Sequence, residues 1–204
     1  MHRVQPLTYL ILIALLTGGV LAGMYMFGIG FGDRTGRQQT ASVADANKPF
    51  EVEVEPIPAP AEELRDEASR PGWKTYVSTK YGFRVEYPSD LRVFLFDEGG
   101  TAESILFQRP GDKATGFQVL VSPYTGDDSL TPGGIRAIQP FTTIESPQTI
   151  KLAGVQAVLF WSVAPEIGKT REVWMARNGR LYAITAYAHL DEWFSQIMAS
   201  WQFE

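Results

Sequence analysis

Cysteine is absent from the 204 residues, and histidine is nearly so, with only His2 and His189. The first absence excludes disulfides, thiolate metal sites, a cysteine nucleophile and a lipidated N-terminal cysteine. It names no compartment, because an oxidising one permits disulfides without requiring them. The second absence leaves one histidine beyond the N-terminal segment, too few to close a zinc site without thiolates. Basic residues are in the minority, 18 Lys and Arg against 23 Asp and Glu for a formal charge of −5, so a nucleic-acid footprint has no support. What remains is 45% apolar and 12% aromatic, a core-forming composition that excludes a wholly disordered or collagen-like chain.

Charge is missing above all near the start. Arg3 is the only charged side chain before Asp33, and residues 7–31 contain no Asp, Glu, Lys, Arg or His. About 20 apolar residues at ~1.5 Å each span a ~30 Å hydrocarbon layer, and a helix satisfies its own backbone hydrogen bonds where lipid cannot. The reading is a short tail over residues 1–6 and a transmembrane helix over residues 7–31, with the lipid bilayer as its partner. A cleaved signal peptide competes, with Val20, Leu21 and Ala22 near its cleavage point. Met24, Tyr25, Met26 and Phe27 prolong the apolar run past that point and favour an uncleaved signal-anchor. Long domains translocate largely regardless of their charge, so a single-pass protein with its N-terminus in the cytoplasm and its C-terminal domain outside is expected. Gly19 and Gly23 form a small-xxx-small pair through which two such helices can approach.

Residues 32–72 read as an acidic linker containing Pro and Ala. Residues 33–47 hold too few large apolar side chains to fold, residues 50–55 alternate and can pair as a lone strand, and Pro56, Pro58 and Pro60 enforce a semi-rigid run. Residues 61–70 read as a short solvated helix. At ~3 Å per extended residue the tether reaches up to roughly 100 Å.

Residues 73–204 carry all five tryptophans and read as one globular domain. In Gly82-Phe-Arg-Val-Glu-Tyr-Pro88, Phe83, Val85 and Tyr87 share one face of a half-buried strand. Residues 91–96, 104–108 and 116–122 are further strand candidates. Strands over residues 149–152 and 155–163 flank Ala153-Gly154, and strands over 170–176 and 181–188 flank Asn178-Gly179, the residue pair a type I′ turn favours. Leu190, Trp193, Phe194, Ile197, Met198 and Trp201 recur at helical period, behind Asp191 and Glu192 where the helix dipole favours acid. A shorter helix begins at Thr131 with Pro132 in its first position. The expected class is α+β, an antiparallel sheet with covering helices.

The stretch Tyr81-Gly-Phe-Arg-Val-Glu-Tyr-Pro-Ser-Asp-Leu91, the Ala153-Gly154 hairpin, the strands around Asn178-Gly179 and the final helix leading into Ser200-Trp-Gln-Phe203 together resemble PsbP-like domains. The resemblance covers roughly residues 73–204 and implies a PsbP-like α/β/α sandwich. It also implies a secreted or membrane-tethered protein that binds or assembles others rather than catalysing a reaction. The motif has a plain structural account: Gly82 permits a tight turn, Phe83 and Tyr87 fill the core, and Pro88 ends the ladder.

Chemistry-bearing groups are sparse. His189 reads as a helix-start residue, since no Gly-x-Ser-x-Gly elbow or phosphate-cradling loop accompanies it. Asp127 and Asp128 sit in a polar loop without the ligand spacing of a calcium site. Asp97 and Asp128 make a glycosidase-like dyad only if folding sets them ~5–10 Å apart. Arg171, Val173, Met175 and Arg177 share one face of a strand and Glu172, Trp174 and Ala176 the other; if one face is solvated the sheet presents an Arg-rich contact patch, with Arg171, Trp174 and Arg177 as candidate partner-binding residues, and the plainer alternative is a strand of alternating core and surface positions. The leading expectation is a non-catalytic, membrane-anchored extracytoplasmic binding or assembly domain with a protein partner in the envelope and no cofactor, metal or nucleic acid. A carboxylate-dependent envelope hydrolase and a small-ligand sensor are the alternatives.

Overall fold

The computed structural model describes residues 57–60, 64–65, 70–98, 101–164 and 167–204. The expected membrane span with its Gly19–Gly23 pair, and most of the linker, lie outside the described residues. Among the described residues no helix is long and apolar enough to cross a membrane.

The described residues build two antiparallel sheets and two α-helices. The strands are β1 (Ile57–Pro58), β2 (Leu64–Arg65), β3 (Trp73–Ser78), β4 (Phe83–Pro88), β5 (Arg92–Asp97), β6 (Glu103–Arg109) and β7 (Asp112–Pro123). After helix α1 (Pro132–Ile138) come β8 (Glu145–Leu152), β9 (Val155–Ala164), β10 (Gly168–Arg177) and β11 (Arg180–Tyr187), then helix α2 (Asp191–Ala199) and β12 (Gln202–Phe203). The larger sheet has the order β1-β5-β6-β7-β11-β10-β9-β8 and the smaller β12-β4-β3-β2.

The small sheet and α2 close one face of the large sheet. Phe83, Val85 and Tyr87 from β4 meet Ile105, Phe107, Phe117, Val119, Val173, Met175, Tyr182 and Ile184, with Phe194, Ile197, Met198 and Trp201 from the C-terminal segment. The alternation read in β4 is thus real: Phe83 and Val85 are 0% exposed, while Arg84 between them faces outward. Phe83 stacks on Trp201 with ring centroids 4.3 Å apart, and Phe107 stacks on Phe117 at 4.2 Å. The opposite face carries a second cluster, in which Leu130 and Ile135 cover Leu120, Val158, Phe160, Trp174, Ala176, Leu181 and Ala183. The helix α1 that supplies Ile135 starts as its sequence indicates, with Thr131 Oγ1 accepting from the Gly134 amide at 3.1 Å.

Two differences from the expected sandwich have physical reasons. A second sheet, rather than helices alone, lies over the first face. Its central strand β3 escapes the alternation test because Thr75, Tyr76, Val77 and Ser78 are all buried. Within residues 61–70, Leu64 and Arg65 are a strand paired with Tyr76 and Thr75, not helix, because a free edge of the small sheet accepts them.

Gly116 marks the tightest backbone approach in the large sheet, beside the β6–β7 register shift at Gln108 and Arg109. A Cβ there would meet the Phe107 carbonyl oxygen at 2.2 Å. Gly116→Ala is expected to destabilise the domain by about 1–3 kcal/mol through forced strand movement. Lys113→Ala, exposed on the same strand, should cost under about 0.5 kcal/mol; urea denaturation of both variants checks the contrast.

Candidate functional site

Three turns meet at one end of the large sheet. The β8–β9 turn holds Ala153 at φ 47° and Gly154 at φ 84°, and the β10–β11 turn holds Asn178 at φ 51° and Gly179 at φ 73°. Both are the left-handed pairs that tight hairpins need. The loop after β7 is laced onto them. The Tyr124 amide donates to the Gly179 carbonyl at 2.8 Å, Asp128 Oδ2 accepts from the Asn178 amide at 3.4 Å, and Gln156 Nε2 donates to the Leu130 carbonyl at 2.8 Å. Between them opens a groove of about 410 Å³ lined by Asp128, Ser129, Gly154, Gln156, Arg177 and Asn178. Its lining offers amide, hydroxyl, guanidinium and carboxylate groups, suited to hydrogen-bonded recognition of a polar ligand or peptide segment.

The three residues read as a partner patch part company here. Strand β10 is buried on both faces rather than solvated on one, because β9 and β11 flank it and both sheet faces are covered. Arg171 is 9% exposed, with its guanidinium carbon 4.2 Å from the Trp161 ring centre and its Nε 3.0 Å from Asp191 Oδ1. Trp174 is 3% exposed on the opposite face, against Phe160. Only Arg177 reaches the groove.

The other sequence candidates are also scattered. His189 is exposed in a 3-10 turn, its ring 5.7 Å from that of Tyr187. Asp97 lies on β5 and Asp128 beside the β10–β11 turn, so three strand steps intervene, about 14 Å of sheet width. That exceeds the separation a glycosidase pair requires. Among the described residues no three His, Cys, Asp or Glu side chains gather as a metal site.

A second constellation, not visible in the sequence, lies inside the sheet. Ser104, Gln118, Thr185, Glu172, Thr170 and Ser162 are all buried and form a polar row across β6, β7, β11, β10 and β9. The register sets Gln118 opposite Thr185, Thr185 opposite Glu172, and Thr170 opposite Ser162. Thr170 Oγ1 donates to Glu172 Oε1 at 2.8 Å, while Thr185 Oγ1 at 2.6 Å and Trp174 Nε1 at 3.1 Å donate to Oε2. Gln118 Nε2 donates to Ser104 Oγ at 2.7 Å. Burial pushes the Glu172 carboxyl up to about 7, and the three donors hold it back from rising further. No cation pairs with it among the described residues. Three donors and no counter-charge make a proton-holding group; the groove lining does not include it.

Comparison with known proteins bears on the fold. No family model and no curated protein matches the sequence. The solution structure of cyanobacterial PsbP (CyanoP) from Synechocystis sp. PCC 6803 matches with a TM-score of 0.50 at 11% identity, over 67% of this chain and 95% of that one. A crystal structure from Bacteroides thetaiotaomicron VPI-5482 matches with a TM-score of 0.44 at 17% identity, over 64% of this chain and 48% of that one. The chain has a PsbP-like fold.

The Glu172 environment has a pH signature. With its folded pKa above the unfolded value of 4.5, the folded state holds the proton more tightly. Its contribution is therefore greatest below about pH 4.5 and is lost as pH rises towards 7, a loss on the order of 3 kcal/mol. Glu172→Gln keeps the volume and removes the titration. Denaturation at pH 5 and pH 8 should show the variant gaining on the wild type at the higher pH; an equal difference at both values contradicts the assignment.

Proposed function

We propose that this chain is a non-catalytic binding or assembly domain, anchored in the cell membrane by residues 7–31 and held outside the cytoplasm on the part of the linker that precedes strand β1, since β1 and β2 already belong to the domain's sheets. The observation that carries the reading is the open polar groove at the hairpin end, where Asp128, Ser129, Gln156, Arg177 and Asn178 converge. These groups recognise by hydrogen bonding and charge. They are built on turns laced together by hydrogen bonds, as a docking surface requires. The uncharged N-terminal run supports the anchor, and the PsbP-like fold supports a binding role. A small-ligand sensor is the second reading, favoured by the groove volume of about 410 Å³, which lies in the range of ligand pockets.

A photo-crosslinker at Ser129, exposed on the groove rim, tests the main reading in intact membranes. One discrete adduct is expected, and it should be lost when Asp128→Arg changes the rim charge but kept when the exposed Lys113 becomes Ala. Adducts that the rim charge does not alter, or substrate turnover by the purified chain, contradict it.

A further inference from the structure

The β10–β11 turn brings two arginines together. Its register makes Arg177 and Arg180 direct cross-strand partners, which sets their Cβ atoms about 5 Å apart on one face. Like charges in that position repel, yet each guanidinium is held in place by an aromatic ring. The Arg177 guanidinium carbon lies 4.4 Å from the Phe203 ring centre, and that of Arg180 lies 4.9 Å from the Tyr81 ring centre. Tyr81 stands in the turn leading into β4, and Phe203 pairs with Phe83 at the start of that strand, with the Glu204 amide donating to the Gly82 carbonyl at 3.0 Å. The two guanidiniums thus sit on one aromatic rim where the sheets meet, with Tyr182 between them. Burial raises the pKa of the Tyr182 hydroxyl, and Arg180 and Arg177 both act to lower it. Among the described residues neither arginine has an ion-pair partner, although other arginines of the fold, Arg70, Arg109 and Arg171, each have a carboxylate within 4 Å. Lys80, the second cation on the Tyr81 ring, is already paired with Glu103 at 3.1 Å.

We propose that Arg177 and Arg180 form an oxyanion site that takes inorganic phosphate or a phosphate monoester. The donor count selects the ligand. A ring lies against each guanidinium carbon, and a ring face accepts no in-plane N–H hydrogen bond, so the N–H donors of both forks remain for an oxyanion. A carboxylate has two oxygens and engages one fork bidentately. A phosphate has an extra edge of oxygens for the second fork, and its charge of about −1.5 to −2 near neutral pH balances two arginines. Half-burial strengthens the attraction relative to a fully solvated pair. Arg177 is also among the residues that line the groove, so the two features adjoin at the hairpin end. The site stands on the arginine pair and not on the partner proposed above. Phosphate binding is read on the purified chain, so it fails or succeeds independently of the cross-linking result.

The test is NMR of the arginine Nε–Hε signals of the full chain in detergent micelles, at constant ionic strength. Inorganic phosphate should shift two of these signals together and saturably, and acetate should bind at least tenfold more weakly. Arg177→Gln and Arg180→Gln should each weaken binding at least fivefold, and the double variant should abolish it. Arg177→Lys keeps the charge but loses the fork, and should lose the preference for phosphate over acetate. Dihexanoyl phosphatidic acid distinguishes the source of the ligand: tighter binding than phosphate, lost in the double variant, assigns a lipid headgroup, and equal or weaker binding assigns a soluble phosphate. Shifts that follow ionic strength alone, equal binding of acetate, or unchanged binding in the double variant overturn the proposal.

Discussion

The contact of Phe83 with Trp201, two rings nearly parallel and 4.3 Å apart, is the constraint on which the rest of this fold leans. It ties the first strand pair of the domain to its last residues and lays both over the large sheet. Phe83 and Trp201 each also meet Tyr182 edge-on, at 6.1 and 6.3 Å. The Tyr182 hydroxyl donates to the Tyr81 carbonyl at 2.8 Å. A buried tyrosine needs such a partner, and finding it on the residue before Gly82 fixes the approach of the small sheet to the large one. The stacked pair Phe83–Trp201 and the Tyr182–Tyr81 hydrogen bond each join residues more than 100 positions apart. Sheet-to-sheet closure is therefore a long-range event, and it sets the rim where both the groove and the arginine pair are found.

Much of this was legible because local rules dominate in the second half of the chain. Asn178-Gly179 marks its turn by backbone preference alone, Gly154 marks its own without help from Ala153, and the helical stripe from Leu190 to Trp201 names the face it buries. Legibility fails where burial is two-sided. Strand β3 shows no alternation because both of its faces are covered, and β10 alternates in chemistry without having a solvated side. Strands covered on both faces follow continuous apolar patterns or none, so a period-two reading assigns an outside that does not exist. The solvated face on which a patch of Arg171, Trp174 and Arg177 depends is therefore missing at Arg171 and Trp174.

The site was legible in pieces. The Asp128 loop, the two glycine turns and Arg177 each announce themselves, but their convergence depends on strand order, and sequence does not print strand order. Inserting β7 beside β11, rather than β10 beside β7, carries the loop after β7 to the β10–β11 turn. Glu172 shows the converse. Its neighbours in sequence, Arg171 and Val173, point to the other face. Two of its three donors, Thr170 and Trp174, are two residues away along the strand, and the third, Thr185, is opposite across the ladder. A signal for such a group exists in principle: an acidic residue flanked at i±2 by donors within a strand of buried neighbours.

Placing an unpaired carboxylate in the middle of a sheet costs stability at neutral pH, and three donors only partly offset it. The same fold tolerates two adjacent cations at its hairpin end. The environments of these two departures differ. Glu172 is walled in by satisfied partners, so its charge is answered from within, and a neutral isostere fits the same space. Arg177 and Arg180 are answered only by ring faces, which stabilise a cation but leave its N–H edges without acceptors. A like-charge pair at a two-residue turn is easily relieved, since replacing either residue leaves the turn intact. Acceptors supplied from outside the chain would complete that environment, which sets the proposed phosphate site at the hairpin end rather than at the buried row.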